Sequence, residues 1–131
     1  MTLEANKALA RVWFEEIMNK RDLGAIDRTY APDYVHRGPD GHELRGLEEL
    51  RNMAERLFVG IPDRQSTVEL QVAEGDIVVT RWMSRGTHAG PLLGLPPTGQ
   101  PIVARGLVMS RIDHGMIIED WEMVEIVTEK S

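Results

Sequence analysis

Apolar and polar residues recur with two different periods along this chain, and the change falls at Pro62. Before it, apolar side chains return every three to four positions. Ala5, Leu9, Val12, Trp13 and Ile17 share one face of a helix predicted from about Leu3 to Lys20, with Thr2 placed to cap it. Asp22 caps a second, short helix that turns Leu23, Ile26 and Tyr30 inward and stops at Pro32. Tyr34 to Arg37 reads as a brief extended piece, and Gly38-Pro39-Asp40-Gly41 as a turn. A third helix, about Leu47 to Val59, presents Leu47, Leu50, Ala54, Leu57 and Phe58, and ends at Gly60 and Pro62.

After Pro62 the period is two. Val68, Leu70 and Val72 alternate with Thr67, Glu69 and Gln71, and Glu74-Gly75-Asp76 turns the chain. Ile77 to Thr87 runs back. Gln100 to Ile112 and Met116 to Thr128 are joined by Asp113-His114-Gly115, a short hairpin connection. Three helices followed by an antiparallel meander predict an α+β fold in which a curved sheet packs on helices along one face. The 131 residues carry no repeat and no linker, so one domain over 1–131 is expected.

Charge and composition narrow the partners. The net charge is −6 and the basic residues are scattered, which argues against nucleic acid, since phosphate binding wants a positive patch. There is no Cys, hence no disulfide and no thiolate metal site. No apolar run reaches the roughly 18 residues of a membrane span, and Met1 to Lys20 is amphipathic rather than a secretory leader. A cytoplasmic protein without membrane contact is expected. No His pair or carboxylate cluster has metal-ligand spacing, and the Gly/Pro loop precedes a strand rather than a helix, unlike a phosphate loop. Acid/base chemistry with no metal and no organic cofactor is the expectation.

The region from Arg81 to Glu122 carries the motifs. Gly86-Thr87-His88-Ala89-Gly90 is followed by Gly94-Leu95-Pro96-Pro97-Thr98-Gly99, then by Arg111 through Gly115, Ile117, Glu119 and Trp121. Upstream, Tyr34-Val35-His36, Gly46, Ile61-Pro62-Asp63 and Glu74-Gly75-Asp76 occur in matching order. Together they resemble the SnoaL-like polyketide cyclases, or ester cyclases, over nearly the whole chain. The resemblance implies the cone-shaped α+β barrel of the nuclear transport factor 2-like superfamily. It also implies a pocket between helices and sheet, and proton transfer on a carbonyl compound.

On the last strand, alternation groups Ile117, Glu119, Trp121 and Met123 on one face, and Ile118, Asp120, Glu122 and Val124 on the other. Both faces mix apolar and acidic residues. The family motif matches Ile117, Glu119 and Trp121, which places that set inward. Pairing Ile112 with Met116 then sets Arg111 opposite Ile117, Met109 opposite Glu119 and Leu107 opposite Trp121, with Arg105 on the same face. In the cyclases the acid/base group here is an Asp, whereas the inward candidate is Glu119. A one-residue bulge would exchange Glu119 and Asp120.

The candidate proton-transfer group is therefore Glu119, against the alternative of a structural ion pair with Arg111. His88, His36 and Arg105 are candidates to stabilise an enolate oxygen, with a loop anchor as the plainer role for His88. Trp13, Tyr34, Trp82, Leu107, Met109 and Trp121 are expected to line a substrate pocket, although core packing accounts for the tryptophans equally well. His42 and His114 fall in turns. The Gly90–Gly99 segment, with Leu92, Leu93 and Leu95, is expected to cover the pocket mouth. Val108, Ile118 and Val124 are expected on the outer sheet face as a homodimer surface. The function expected is an acid/base enzyme acting on an apolar, carbonyl-bearing small molecule. The rivals are a non-catalytic carrier and an epoxide hydrolase-like enzyme, the latter wanting an Asp-Arg-Asp relay.

Overall fold

The computed structural model describes residues 2–92 and 94–128. Thr2 caps α1 (Leu3–Val12), its hydroxyl accepting from the Ala5 amide at 3.0 Å. The helix continues through a π-helical turn, Trp13–Met18, in which the Asn19 amide reaches back to the Phe14 carbonyl. The wide turn rotates the buried stripe to Asn6, Ala10, Phe14, Ile17 and Met18, leaving Ala5 exposed. π-turns often mark functional positions, and here Trp13 and Phe14 follow one another toward the sheet.

α2 (Ala25–Thr29) is shorter than expected, and Asp22 does not cap it; that carboxylate accepts from Arg28 instead. β1 (Tyr30–Arg37) begins at Tyr30 and contains Pro32, so Pro32 does not end a helix but sits in an irregular stretch of strand. Tyr30 pairs with Ile117 and Val35 with Glu119, which leaves the missing Pro amide outside the ladder. A short β2 (Glu43–Arg45) leads into α3 (Gly46–Gly60), whose first turn is held by Glu49 accepting from the Arg45 amide at 2.7 Å.

β3 (Gln65–Glu74), β4 (Ile77–Thr87), β5 (Pro101–Asp113) and β6 (Met116–Thr128) form the expected meander. The sheet order is β2-β1-β6-β5-β4-β3, and only β1 and β6 run parallel. The helices touch β1 and β2 at one end and β3 at the other, so the sheet curves around them and stays open between its edges. The main core joins Ile17, Ile26, Tyr34, Leu50, Val78, Ile112 and Ile117. A second cluster packs Phe14 and Trp82 on Ala104 and Val108.

The β5–β6 hairpin corrects the expected register. His114 (φ 50°) and Gly115 (φ 75°) are both left-handed, so the connection is a two-residue turn and Asp113, not Ile112, faces Met116. Ile112 pairs with Ile117, but Arg111 pairs with Glu119. Ile118 is thus an extra residue, and the alternation of β6 resets beyond it. Asp120 and Glu122 turn toward the helices, and Glu119, Trp121 and Met123 turn outward.

Candidate functional site

Between the helices and β1, β5 and β6 lies a narrow cavity of about 20 Å³, close to the size of one water molecule. Trp13, Phe14 and Met53 wall it from the helix side, and Tyr30, Tyr34, His36, Val108, Ser110, Asp120 and Glu122 from the sheet. Asp120 is its centre. The carboxyl group is 5% exposed, and each oxygen accepts a hydroxyl hydrogen bond: Oδ2 from Tyr34 at 2.6 Å and Oδ1 from Ser110 at 2.5 Å. Burial pushes it upward against the pull of these two donors, to about 6. Tyr34 is held by the Tyr30 ring, edge-on at 4.7 Å, and Tyr30 in turn meets Trp13 edge-on at 6.3 Å.

Beside this triad His36 Nε2 lies 2.9 Å from Glu122 Oε1. Burial lowers the imidazole, but the Glu122 hydrogen bond and the charges of Glu122 and Asp120 outweigh it, so the net direction is upward. The parallel pairing of β1 with β6 makes this possible, because it sets His36 directly opposite Asp120. The cavity therefore holds a carboxyl group raised toward neutrality beside an imidazole held toward its cationic form. Neighbouring groups tuned in this way are what acid/base chemistry near neutral pH requires.

The other expected residues lie elsewhere. Glu119 is on the outer face, accepting from Arg37 at 2.7 Å and from Arg111 at 2.8 Å. Burial would raise its carboxyl, but the two guanidiniums hold it below the usual range. Trp121 sits outside between the same arginines, at 5.4 and 5.8 Å. Leu107 and Met109 are exposed on that face, and Arg105 pairs there with Glu125 at 3.0 Å. The bulge at Ile118 turns Glu119 and Trp121 outward, and the two-residue turn, which sets Ile112 rather than Arg111 opposite the inward Ile117, places Leu107, Met109 and Arg105 outside as well. A shallow outer groove of about 470 Å³ runs along Val35, Met116, Ile118 and Glu119, where the arginines hold the Glu119 carboxyl below its ordinary range, opposite in direction to Asp120. Trp13, Tyr34 and His36 are in the cavity as expected, whereas Trp82 is one layer away, packed on Phe14 at 5.5 Å.

His88 anchors the Gly/Pro loop. It is buried; its amide donates to Gln100, its carbonyl accepts from Gly99, and Nδ1 is 3.3 Å from Thr98 Oγ1. The loop docks on the end of α3 rather than over the cavity. The Ala89 and Gly90 amides donate to the Gly60 carbonyl, and Leu92 packs with Ile61 and Ile102. The expected lid is thus a strut; Leu93 lies outside the described residues. Ser110, Glu122, Tyr30 and Phe14 are the site residues that sequence reasoning missed, while Asp120 entered it only as the residue a bulge would exchange with Glu119. The available signal was the Asp beside Glu119, the residue type the cyclase resemblance implies.

A family model for the SnoaL-like polyketide cyclases matches residues 8–129. The chain belongs to the SnoaL-like polyketide cyclase family. Solved structures agree with this membership. A candidate SnoaL-like polyketide cyclase from Jannaschia sp. CCS1 superposes with a TM-score of 0.85 at 25% identity, over 93% of this chain and 86% of the other. IdmH, a candidate polyketide cyclase from Streptomyces antibioticus, has a TM-score of 0.78 and 31% identity over 92% and 91%. AclR, a candidate hydroxylase from Streptomyces galilaeus, has 0.80 and 27% over 95% and 77%. No curated protein sequence matches the chain. Among the described residues of this SnoaL-like chain, no helix is long and apolar enough to cross a membrane, and no cluster of His, Asp and Glu is arranged to hold a metal ion.

Proposed function

We propose that this SnoaL-like protein catalyses proton transfer, with aldol cyclisation as the reaction type, on an apolar carbonyl-bearing small molecule. The observation that carries the reading is the buried Asp120, raised to about 6 and facing the His36–Glu122 pair across one cavity. Asp120, not Glu119, takes the proton from the carbon α to a carbonyl. Tyr34 and Ser110 fix its orientation and leave its remaining lone pairs for the substrate. The enolate carbon then bonds to a second carbonyl carbon, and the new alkoxide takes a proton from His36, which Glu122 keeps cationic. Electrons and protons balance without an oxidant. The cavity as it stands has room for about one water molecule, so binding such a molecule requires it to widen.

Deuterium exchange tests this directly. An aryl methyl ketone or 1,3-diketone in D2O, followed by NMR, should lose its α-protons faster with the protein than in buffer. The rate should rise with pH through about 6, as Asp120 ionises, and Asp120→Asn should lower it roughly 10²–10⁴-fold. Binding of such ketones with no exchange above buffer would leave only the carrier reading. The epoxide-opening alternative wants an Asp-Arg-Asp relay, and among the described residues the hydrogen-bond partners of Asp120 are the hydroxyls of Tyr34 and Ser110.

The reading includes a homodimer. The outer face carries two adjacent cross-strand rows, Val72-Val79-Met109-Trp121 and Leu70-Arg81-Leu107-Met123. Leu70, Val72, Leu107 and Met123 are exposed, a patch of the kind that a partner covers. Of the residues expected on this face, Val108 faces the core instead, Val124 falls on the inner face of β6, and Ile118 is the bulge residue.

A further inference from the structure

Arg64, just before β3, is half-buried and has no ion-pair partner among the described residues. Its guanidinium lies over the Trp82 ring, 5.9 Å from the centroid, and Nε is 3.4 Å from Ser66 Oγ. That hydroxyl is already committed to Ser84 at 2.7 Å. The two terminal nitrogens have no hydrogen-bond or ion-pair partner among the described residues. Loss of water pulls the guanidinium down to about 10, while the charge of Glu122 pulls the other way. Glu122 itself is engaged by His36. Half-buried on the Trp82 ring, with terminal N–H groups that no described residue takes up, the guanidinium has donors to offer a ligand.

Its surroundings have the form of a binding edge. Trp82 packs on Phe14 and Glu122 pairs with His36, and Phe14 and Glu122 both line the Asp120 cavity. The buried Trp82 Nε1 has no partner, so a second N–H lies within the same aromatic cluster. Beyond Glu122, Val124 and Ile126 continue the inner face of β6 and remain 38% exposed, so the helices leave this end of the sheet uncovered. Val124 lies in one cross-strand row with Trp82, through Gly106, so this apolar edge adjoins the ring beneath Arg64.

We infer that Arg64 anchors an anionic oxygen of the substrate, a carboxylate or an acidic enol, while the apolar body lies on Trp82, Phe14 and Val124 with its reacting carbonyl at Asp120. This rests on the small-molecule reading above and adds the substrate class: acidic rather than neutral. A guanidinium presents paired N–H donors to such a group and gains most where water is excluded. The same anchor selects which end of the molecule enters first.

Calorimetric titration with 2-naphthoate and with its neutral analogue 2-acetonaphthone separates the possibilities. Wild-type protein should bind the naphthoate at least about tenfold more tightly, because a charge-assisted hydrogen bond contributes on that scale. Arg64→Met should remove this preference and leave 2-acetonaphthone within about twofold of wild type; Arg64→Lys should recover part of it. An Arg64→Met protein that melts early yet keeps the wild-type preference would overturn the anchor in favour of a structural role. Equal wild-type affinity for the two probes would overturn it as well. If the wild type binds neither probe, the small-molecule site falls along with the anchor. If both bind and only the Arg64 variants are silent, the anchor alone falls.

Discussion

Replacing Asp120 with Asn should change how stability depends on pH, by an amount the structure sets. In the folded protein the carboxyl is held at about 6, against an ordinary 3.8. At 1.36 kcal/mol per tenfold, that difference corresponds to about 3 kcal/mol. The sign follows from proton counting. Between these two values the folded state binds more protons than the unfolded one, so unfolding free energy falls as pH rises, and the loss is complete above about 6. Roughly 1 kcal/mol of it has accrued by pH 4.5, so about 2 kcal/mol should appear between pH 4.5 and 7.5. His36 acts in the same sense at its upper end, because its raised value gives stability that disappears as pH climbs through it. Glu119 and Asp63, both lowered, act oppositely, losing stability only in more acid solution. Subtracting the stability of the Asp120→Asn variant from that of wild type isolates the carboxyl. Urea unfolding followed by tryptophan fluorescence, at pH steps from 4.5 to 7.5, should show the variant gaining about 2 kcal/mol on wild type across the range. Two stability curves that stay parallel to within about 0.5 kcal/mol would show that Asp120 titrates like any surface acid, and the argument for its role would fail.

Glu119→Gln should leave turnover per folded molecule unchanged, and should lower stability by less than about 1 kcal/mol, because its arginine partners stay partly in water; activity and melting curves decide this. Gly90→Ala should lower stability by about 2 kcal/mol, since a Cβ there would stand 2.2 Å from the Val59 carbonyl oxygen and the loop must lift off α3; the melting temperature should drop by several degrees. Sedimentation should find a dimer at micromolar concentration, and Leu107→Glu with Met123→Glu should convert it to monomer without unfolding it. A monomeric wild type would remove the dimer from the proposal.

Much of the fold was legible because long amphipathic segments announce themselves. α1, α3 and all four long strands of the meander lie within a few residues of their expected places. What was hidden depends on pairing between distant segments. β2 has three residues and no period to detect, and Pro32 reads locally as a stop although it sits harmlessly in an irregular strand. The site turned on one residue. A bulge has no signature in the alternation of Ile117 to Val124, where both faces mix acids and apolar groups, so Glu119 and Asp120 could be told apart only by the ladder itself. Tyr34 and His36 were found because they stand two apart on β1, past its irregular stretch, and so share a face. Ser110 escaped notice because a serine on a strand carries no chemistry until an acid faces it.

The parallel pairing of β1 with β6 has a consequence for how this molecule folds. β6 is flanked by β1 on one side and β5 on the other, so it is the seam between the helical layer and the meander. The Tyr34–Asp120 hydrogen bond spans 86 positions of sequence. A loop of that length closes late and at an entropic cost that local contacts cannot offset. The β3–β5 meander can zip from its own turns and offers β3 and β4 to α1, but β1 gains its long sheet partner only when β6 arrives. Folding and assembly of the Asp120 environment are therefore one event. A chain with the sheet half built has no Asp120 environment at all, and a protein that has one is folded throughout.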